Sequence, residues 1–305
     1  MFHIVVNPAG SSGNAWAQLK EIEPVFEGTP YKVYRSFGKR SIEYICRKLT
    51  SQGRLTRLVV IGGDGTFNEA INGIQDFENT EFGFIPCGTG NDTVRDMNIV
   101  SDRKILAKLI LKGKVRRKSD VGELTADING QTVKRRFNIS SDMGFGAATC
   151  EYVSRSKIKP ILNLIGLGKL TYLIEAIKVC FTSKEPKIRI TANGKTTVYK
   201  RCLCAIAMNH CYEGGGFKFC PNASFTDGKL DICIGDSMSH LEFLRMLPYA
   251  YLGKHLKLRG VYSERTDHIL IESDTPQWIH TDGEVIGQTC RAEMRIIPEK
   301  LKLLI

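Results

Sequence analysis

The sequence predicts an α/β domain, with a parallel sheet flanked by helices, over residues 1–123, followed by a β-rich, sandwich-like domain over residues 124–305. Three observations carry this. At 305 residues the chain is long for one hydrophobic core, so two domains are the natural division. Short apolar runs alternate with helical patterns through the first third, which is how a parallel sheet covered on both faces is written. From Leu124 the pattern turns to strand character, with Asn129-Gly130 and Asn193-Gly194 as hairpin turns. The last strand, about 296–305, is expected to return to the first domain.

Phe2 to Val6 reads as the first strand, ended by Asn7-Pro8. Gly10, Ser11, Ser12 and Gly13 then form a small donor-rich loop able to cradle a phosphate. A helix is expected over Ala15 to Phe26 and a strand over Tyr31 to Tyr34. Ser36, Gly38 and Lys39 make a polar turn into a helix from Ser41 to Leu49, with Ile42, Ile45 and Leu49 on one face. Gln52-Gly53 closes that helix.

The next strand is the apolar run Leu58 to Ile61, suited to burial on both faces. Gly62, Gly63, Asp64, Gly65 and Thr66 follow, and Phe67, Ala70, Ile71 and Ile74 then repeat at helical spacing. Thr66 is expected at the N-cap, with Glu69 completing a capping box. Strand, glycine turn and helix N-terminus together aim backbone N–H groups and a helix dipole at one spot, where an anion binds. Asp64 is out of place beside a phosphate unless a cation such as Mg²⁺ lies between them. The strand Phe82 to Ile85 leads into a second loop of this kind, Pro86-Cys87-Gly88-Thr89-Gly90-Asn91-Asp92, where Asn91 and Asp92 could also simply cap the next helix.

A net charge of +11 and a pI near 9.1 suit an anionic partner: nucleotide, nucleic acid or membrane surface. No secretory signal is expected, because Asn7-Pro8 breaks the first apolar run. The ten cysteines are expected as reduced core thiols, and the spacing of Cys202, Cys204, Cys211 and Cys220 does not fit a zinc site.

GGDGT is shared by diacylglycerol kinases, sphingosine kinases, NAD kinases and 6-phosphofructokinases. NPAG at 7–10, GGDGTFNE at 62–69 and PCGTGND at 86–92, in this order, resemble the diacylglycerol-kinase catalytic domain, the superfamily of bacterial soluble lipid kinases and sphingosine kinases. KGKVRRKSDV at 112–121 resembles the segment leading into that family's second domain. RFNISSDMGFGA at 136–147 is similar to its F-x-N-x-x-x-x-G-F-x-A segment, although Gly146 stands where relatives place an acidic residue. In sphingosine kinases that residue is associated with the amine headgroup, so its absence argues against a sphingoid base. Asn209, Gly214-Gly215-Gly216, Pro221, Ala223, Asp227-Gly228 and Leu230-Asp231 continue the match.

The apolar stretch Ile161 to Phe181 carries Lys169, Glu175 and Lys178, which makes it a poor transmembrane span. It reads as a helix over Lys169 to Thr182, expected to pack into the core, with an exposed membrane face as the alternative. His240 to Leu258 reads as helical, with a kink or break at Pro248. Ile269 to Glu272, Trp278 to Thr281, Arg291 to Ile297 and Leu301 to Ile305 read as strands.

The resemblance implies an ATP-dependent lipid kinase with an NAD-kinase/diacylglycerol-kinase-like first domain. It implies that Asn7, Pro8, Gly10, Ser11, Ser36, Gly62, Gly63, Asp64, Gly65, Thr66, Asn68, Glu69, Gly88, Thr89 and Asn91 hold ATP, and that Asp64 and Asp92 position Mg²⁺. Asp227, with backbone carbonyls at Ser224 and Lys229, would hold a structural Mg²⁺, a plain Asp-Gly turn being the other reading. Asp282-Gly283-Glu284 looks like the catalytic-base segment, and either Asp282 or Glu284 is the base, with Asp64 also assigned to catalysis. Diacylglycerol is the first choice of acceptor. A sphingoid base, undecaprenol, phosphatidylglycerol, an NAD kinase, or a non-catalytic lipid-binding homologue are the alternatives. The expected setting is cytoplasmic, peripheral to the inner face of a membrane, with no nucleic-acid partner, no transmembrane segment, and a homodimer left open.

Overall fold

The computed structural model describes residues 1–8, 15–88, 91–158 and 168–305. Gly10, Ser11 and Thr89, three of the expected phosphate-site residues, lie outside them.

Strands β1 (Phe2–Val6), β2 (Tyr31–Arg35), β3 (Thr56–Gly62) and β4 (Thr80–Pro86) form a parallel sheet in the order β4-β3-β1-β2. Leu58, Val59, Val60 and Ile61 of β3 are fully buried, as their unbroken apolar run requires. Helices α1 (Ala15–Ile22) and α5 (Arg103–Leu111) cover one face, over Ile4, Val6, Val59, Ile61 and Ile85. Helices α2 (Ser41–Thr50) and α3 (Asp64–Gly73) cover the other, where Phe67 packs edge-on against Phe82 and Phe84 at 5.1 and 5.0 Å between ring centroids. A short helix, α4 (Asp92–Met97), follows the loop after β4. Val6 pairs with Ile61 and Gly62 with Pro86, so the carboxyl ends of three strands are level and their loops share one sheet edge.

The second half contains β5 (Arg117–Ile128), β6 (Gln131–Phe137), β7 (Ser140–Gly144), β8 (Ile188–Ala192), β9 (Lys195–Tyr199), β10 (Cys202–Met208), β11 (Leu230–Asp236), β12 (Val261–Thr266), β13 (His268–Thr281) and β14 (Glu284–Leu303). Its helices are α6 (Phe145–Arg155), α7 (Gly168–Thr182) and α8 (His240–Tyr251). The antiparallel order is β12-β11-β10-β7-β13-β14, with β5 and β6 added on β14 and β8 and β9 on β13. Phe137, Met143, Ile190, Ile232, Ile271 and Met294 share its core. The end of β14 runs parallel to β4, pairing Lys302 with Glu81 and Leu303 with Phe82, so one sheet continues through both halves.

Several expectations change in detail. The helix of 15–26 ends at Ile22 and continues as a 3₁₀ turn from Glu23, with Pro24 near its start. The strand pairs at 269–281 and 291–305 are segments of β13 and β14, broken by register shifts at Glu272/Gln277 and Ile297/Leu301. Pro298, which has no N–H to give the ladder, lies in the second break. α8 passes through Pro248 to Tyr251, and a separate 3₁₀ turn follows at His255–Lys257.

Two corrections bear on function. Thr66 is not the N-cap of α3: the helix starts two residues earlier, behind an extended Gly63, with no side-chain cap. Glu69 instead accepts the N–H groups of Arg40 and Ile42, both at 3.2 Å, and so caps α2, which has no side-chain cap from its own Arg40. The packing of α2 on α3 brings that carboxylate to the neighbouring helix end. Second, α7 packs Val179 and Cys180 into the core as expected, yet it also buries two polar residues and exposes most of its other apolar ones. Thr171 and Glu175 are buried, whereas Tyr172, Leu173, Ile174, Ile177 and Phe181 are 39–58% exposed. No described helix is long and apolar enough to cross a membrane.

Candidate active site

The glycine loops are set by close approach. A Cβ on Gly62 would lie 2.4 Å from Thr66, and one on Gly88 would lie 2.9 Å from the Gly63 Cα, so the two loops pack back to back. A Cβ on Gly65 would meet nothing within 4 Å among the described residues, which leaves space there at the first turn of α3. Asn7 donates to Thr66 Oγ1 at 3.0 Å and accepts from Ser36 Oγ at 3.3 Å, tying the ends of β1 and β2 to that turn, with Pro8 following. Asn7, Ser36, Gly62, Gly63, Gly65, Thr66 and Gly88 thus gather at one edge.

Asp64 and Asp92 are joined through α4. The Asp64 carboxylate accepts the N–H groups of Asp92 and Thr93 at 3.3 and 3.4 Å. Asp92 pairs with Arg95 at 3.0 Å and accepts the N–H of Gly215 at 2.7 Å, which draws the Gly214–Gly216 loop onto the first domain. Asn91, in the left-handed region at φ 51°, has a buried Oδ1 without a hydrogen-bond partner among the described residues. Two carboxylates and an unpartnered amide oxygen make an oxygen-rich donor set that fits a hard divalent cation.

Asn68 does not turn toward the glycine loop. Its amide donates to Asp282 Oδ2 at 2.7 Å and to the Arg136 carbonyl at 3.1 Å, across the two halves. Asp282 also accepts from the N–H groups of Asn138, Ile139 and Ser140 at 2.8, 2.8 and 3.0 Å. Burial pushes its carboxyl up, against those hydrogen bonds. Four donors occupy Asp282, and its left-handed φ of 49° turns the chain so that Glu284 stands outside this cage. Glu284 meets Arg135, Lys39 and Arg40 at 3.2, 3.5 and 3.8 Å and keeps 21% side-chain exposure. Arg135 is nearly buried and also holds Glu43 of α2 at 2.7 Å.

At the other assigned metal position, Asp227 accepts the N–H of Lys229 at 2.9 Å and ion-pairs with Arg265, while the Ser224 hydroxyl meets that of Thr226. The turn is organised by Asp120, fully buried, which accepts from Gly228 and Glu299 N–H groups at 2.7 and 2.6 Å. An Asp beside Val121, at the start of a buried strand, is the only sign the sequence offers of that role.

Glu213 carries no motif signal, yet it lies within electrostatic reach of Asp92, Asp142 and Asp282. Burial pushes it up to about 8 and Asp142 to about 7, and holds His280 down to about 4. The glycine at 146 also has a structural cause. A Cβ there would sit 2.4 Å from Asp142 Oδ2, so a carboxylate from β7 already fills the space.

Residues 1–124 match the family described as the diacylglycerol kinase catalytic domain. Residues 142–305 match the family described as the YegS C-terminal NAD kinase beta sandwich-like domain. The chain belongs to the diacylglycerol kinase family. As a member of this family it is an ATP-dependent kinase. It is 25% identical over 289 residues to a Bacillus subtilis protein named "Putative lipid kinase YtlR", covering 93% of each chain. It is 26% identical over 231 residues to the diacylglycerol kinase of the same organism, covering 75% of this chain and 71% of that one. The crystal structure titled "a putative diacylglycerol kinase" from Bacillus anthracis superposes with a TM-score of 0.74 at 23% identity, covering 99% of this chain and 96% of the other, and shares the fold.

Proposed function

We propose that this kinase transfers the γ-phosphate of ATP to the primary hydroxyl of a lipid alcohol, diacylglycerol first, with Glu284 as the general base. The observation that carries this is the Asp282 cage. Asn68 follows the GGDGT turn and Glu284 follows Asp282, so the 2.7 Å bond between Asn68 and Asp282 supports a site shared by phosphate and base. Asp282 already accepts four donors, which supports Glu284 as the base of this turn.

Backbone N–H groups at the start of α3 face the open space beside Gly65 and receive the phosphates. Asp64 and Asp92 would hold Mg²⁺, which would supply positive charge against the charge that develops on transfer. Glu284 accepts the proton of the lipid hydroxyl as the hydroxyl oxygen attacks the γ-phosphorus in line and the bond from that phosphorus to the bridging oxygen breaks, releasing ADP. Lys39, Arg40 and Arg135 fix the orientation of that carboxylate.

The exposed apolar face of α7 supports work at a bilayer surface. The deciding experiment is transfer of labelled γ-phosphate in mixed micelles, with diacylglycerol, sphingosine, undecaprenol, phosphatidylglycerol and soluble NAD as acceptors. Label in diacylglycerol is expected. Label in NAD alone would replace the lipid reading with a soluble-substrate kinase.

A further inference from the structure

α4 is six residues long, opens and closes on left-handed asparagines, Asn91 and Asn98, and has no side-chain cap at its N-terminus. A helix this short does not hold its own place, so its neighbours must. That place matters because Asp92 stands in its first turn. From the first half α4 has the two bonds to Asp64 and that of Arg117, which donates to the Met97 carbonyl at 2.8 Å. The rest of the grip comes from the second half. Residues 209–216, between β10 and β11, lie along α4 as a strap. Gly215 donates to Asp92 at one end of the strap, and His210 and Cys211 meet Asp96 at the other. Between them the Arg95 guanidinium sits 5.3 Å from the Tyr212 ring centroid, and a Cβ on Gly216 would come 2.7 Å from Arg95 Nη1.

Asp96 anchors the far end. Its Oδ2 lies 2.7 Å from His210 Nδ1 and accepts the Cys211 N–H at 3.4 Å, and its Oδ1 accepts from the Cys211 thiol at 2.9 Å. His210 is fully buried, with its ring stacked on Phe225 at 4.8 Å between centroids. Its other ring nitrogen, Nε2, has no hydrogen-bond partner among the described residues. The bond to Asp96 therefore orients the ring, and a carboxylate acceptor places the proton on Nδ1. Asp92 and Asp96 are four positions apart, one helical turn along the same face. The hydrogen bonds of the Asp96 carboxylate all run to the strap, so it acts on Asp92 through α4. Asn138 ties the same helix to the base turn: its amide donates to Thr93 Oγ1 at 3.0 Å while its N–H holds Asp282.

We propose that Asp96, through its bond to His210, is a positioning residue that holds Asp92 in place for the divalent cation bound with ATP. This rests on the assignment of Asp64 and Asp92 to Mg²⁺ above, and adds that the second half of the molecule sets the metal site of the first. Loosening α4 displaces a metal carboxylate and leaves the backbone N–H groups of α3 where they are. ATP without a cation then binds as before, and the help that the cation gives is lost.

The test is calorimetric binding of ATP to the full chain with and without Mg²⁺, with thermal melting measured beside it. Wild-type enzyme is expected to bind ATP about tenfold more tightly with Mg²⁺ than without. Asp96→Ala and His210→Leu remove the bond from either end. Each is expected to lower that ratio to about twofold with the cation-free affinity unmoved, and the double variant to add nothing to either. His210→Asn keeps an N–H donor near the place of Nδ1 and is expected to keep the wild-type ratio. A wild-type ratio in Asp96→Ala, whatever its melting temperature, overturns the proposal and leaves Asp96 a residue of stability alone. So does an asparagine variant that loses the ratio as completely as leucine. If alanine and leucine do not fold, Tyr212→Leu loosens the middle of the strap and is expected to lower the ratio to about fourfold; an unchanged ratio overturns the proposal there too. Asp92→Asn separates this from the reading beneath it. A ratio lost in Asp92→Asn and kept in Asp96→Ala overturns the positioning role alone, whereas a ratio kept in Asp92→Asn removes Asp92 from the metal site and the positioning role with it.

Discussion

Replacing Asp282 with asparagine keeps the side chain's shape and halves its accepting capacity. The remaining oxygen can serve Ile139 and Ser140, whose N–H groups both reach Oδ1. The new NH₂ would then face the N–H of Asn138 and the amide of Asn68, donor against donor. Asn68 cannot flip to oblige without losing its bond to the Arg136 carbonyl. Two hydrogen bonds to a charged acceptor are lost, at about 1.5–3 kcal/mol each. Removing a charge that burial disfavours returns part of that loss. The net cost is about 2–4 kcal/mol, short of the roughly 5–15 kcal/mol that holds a domain together, so the variant folds. Thermal melting is expected to fall by about 5–10 °C. Turnover is expected to fall about 100-fold, because a shift of about 1 Å in a reacting group costs that much, and Glu284 is only two residues away. A variant that melts within a degree of wild type and turns over within twofold of it would refute the idea that this cage sets the site.

Three further outcomes follow from the same geometry. Asp64→Asn should lose most turnover and require more Mg²⁺; near-wild-type turnover with unchanged Mg²⁺ dependence would remove Asp64 from the metal site. Above pH 6.5, as unfolded His280 also becomes neutral, folded Asp142 up to about pH 7 and folded Glu213 up to about pH 8 keep protons that the unfolded chain has released. Stability should therefore fall as pH rises across that window, by up to about 1.4 kcal/mol per pH unit for each group. Urea unfolding of Glu213→Gln should show a shallower slope, and an identical slope would place that proton elsewhere. Leu173→Asp on the exposed face of α7 should weaken binding to anionic lipid vesicles in a flotation assay while leaving the melting temperature unchanged; undiminished flotation would free that face of a membrane role.

What was legible in the sequence was local. The glycine turn after β3, the Asp282-Gly283-Glu284 turn and the switch to antiparallel strands are each spelled by neighbouring residues. The connections that make a site of them are not. Asn68 reaches Asp282 across 214 positions, and Asp120 reaches Glu299 across 179. No periodicity records such a pairing, so Asn68 and Glu69 read as phosphate-loop residues when one holds the Asp282-Gly283-Glu284 turn and the other caps α2. Glu213 was invisible for a related reason: its chemistry comes from β7, β13 and α4 folding around it. For α7 the span was readable, because an apolar run marks a helix. Its buried face was legible only in part: Val179 and Cys180 enter the core as expected, while Thr171 and Glu175 turn inward against the usual preference.

The claim that both halves of the molecule deliver one transfer site, with Glu284 as its base, is tested most directly by single-turnover transfer of labelled γ-phosphate to diacylglycerol in Glu284→Gln, with ATP binding measured in parallel. The account predicts unchanged ATP affinity and a transfer rate lowered by about 10²–10⁴-fold. Transfer at the wild-type rate with ATP bound would contradict it.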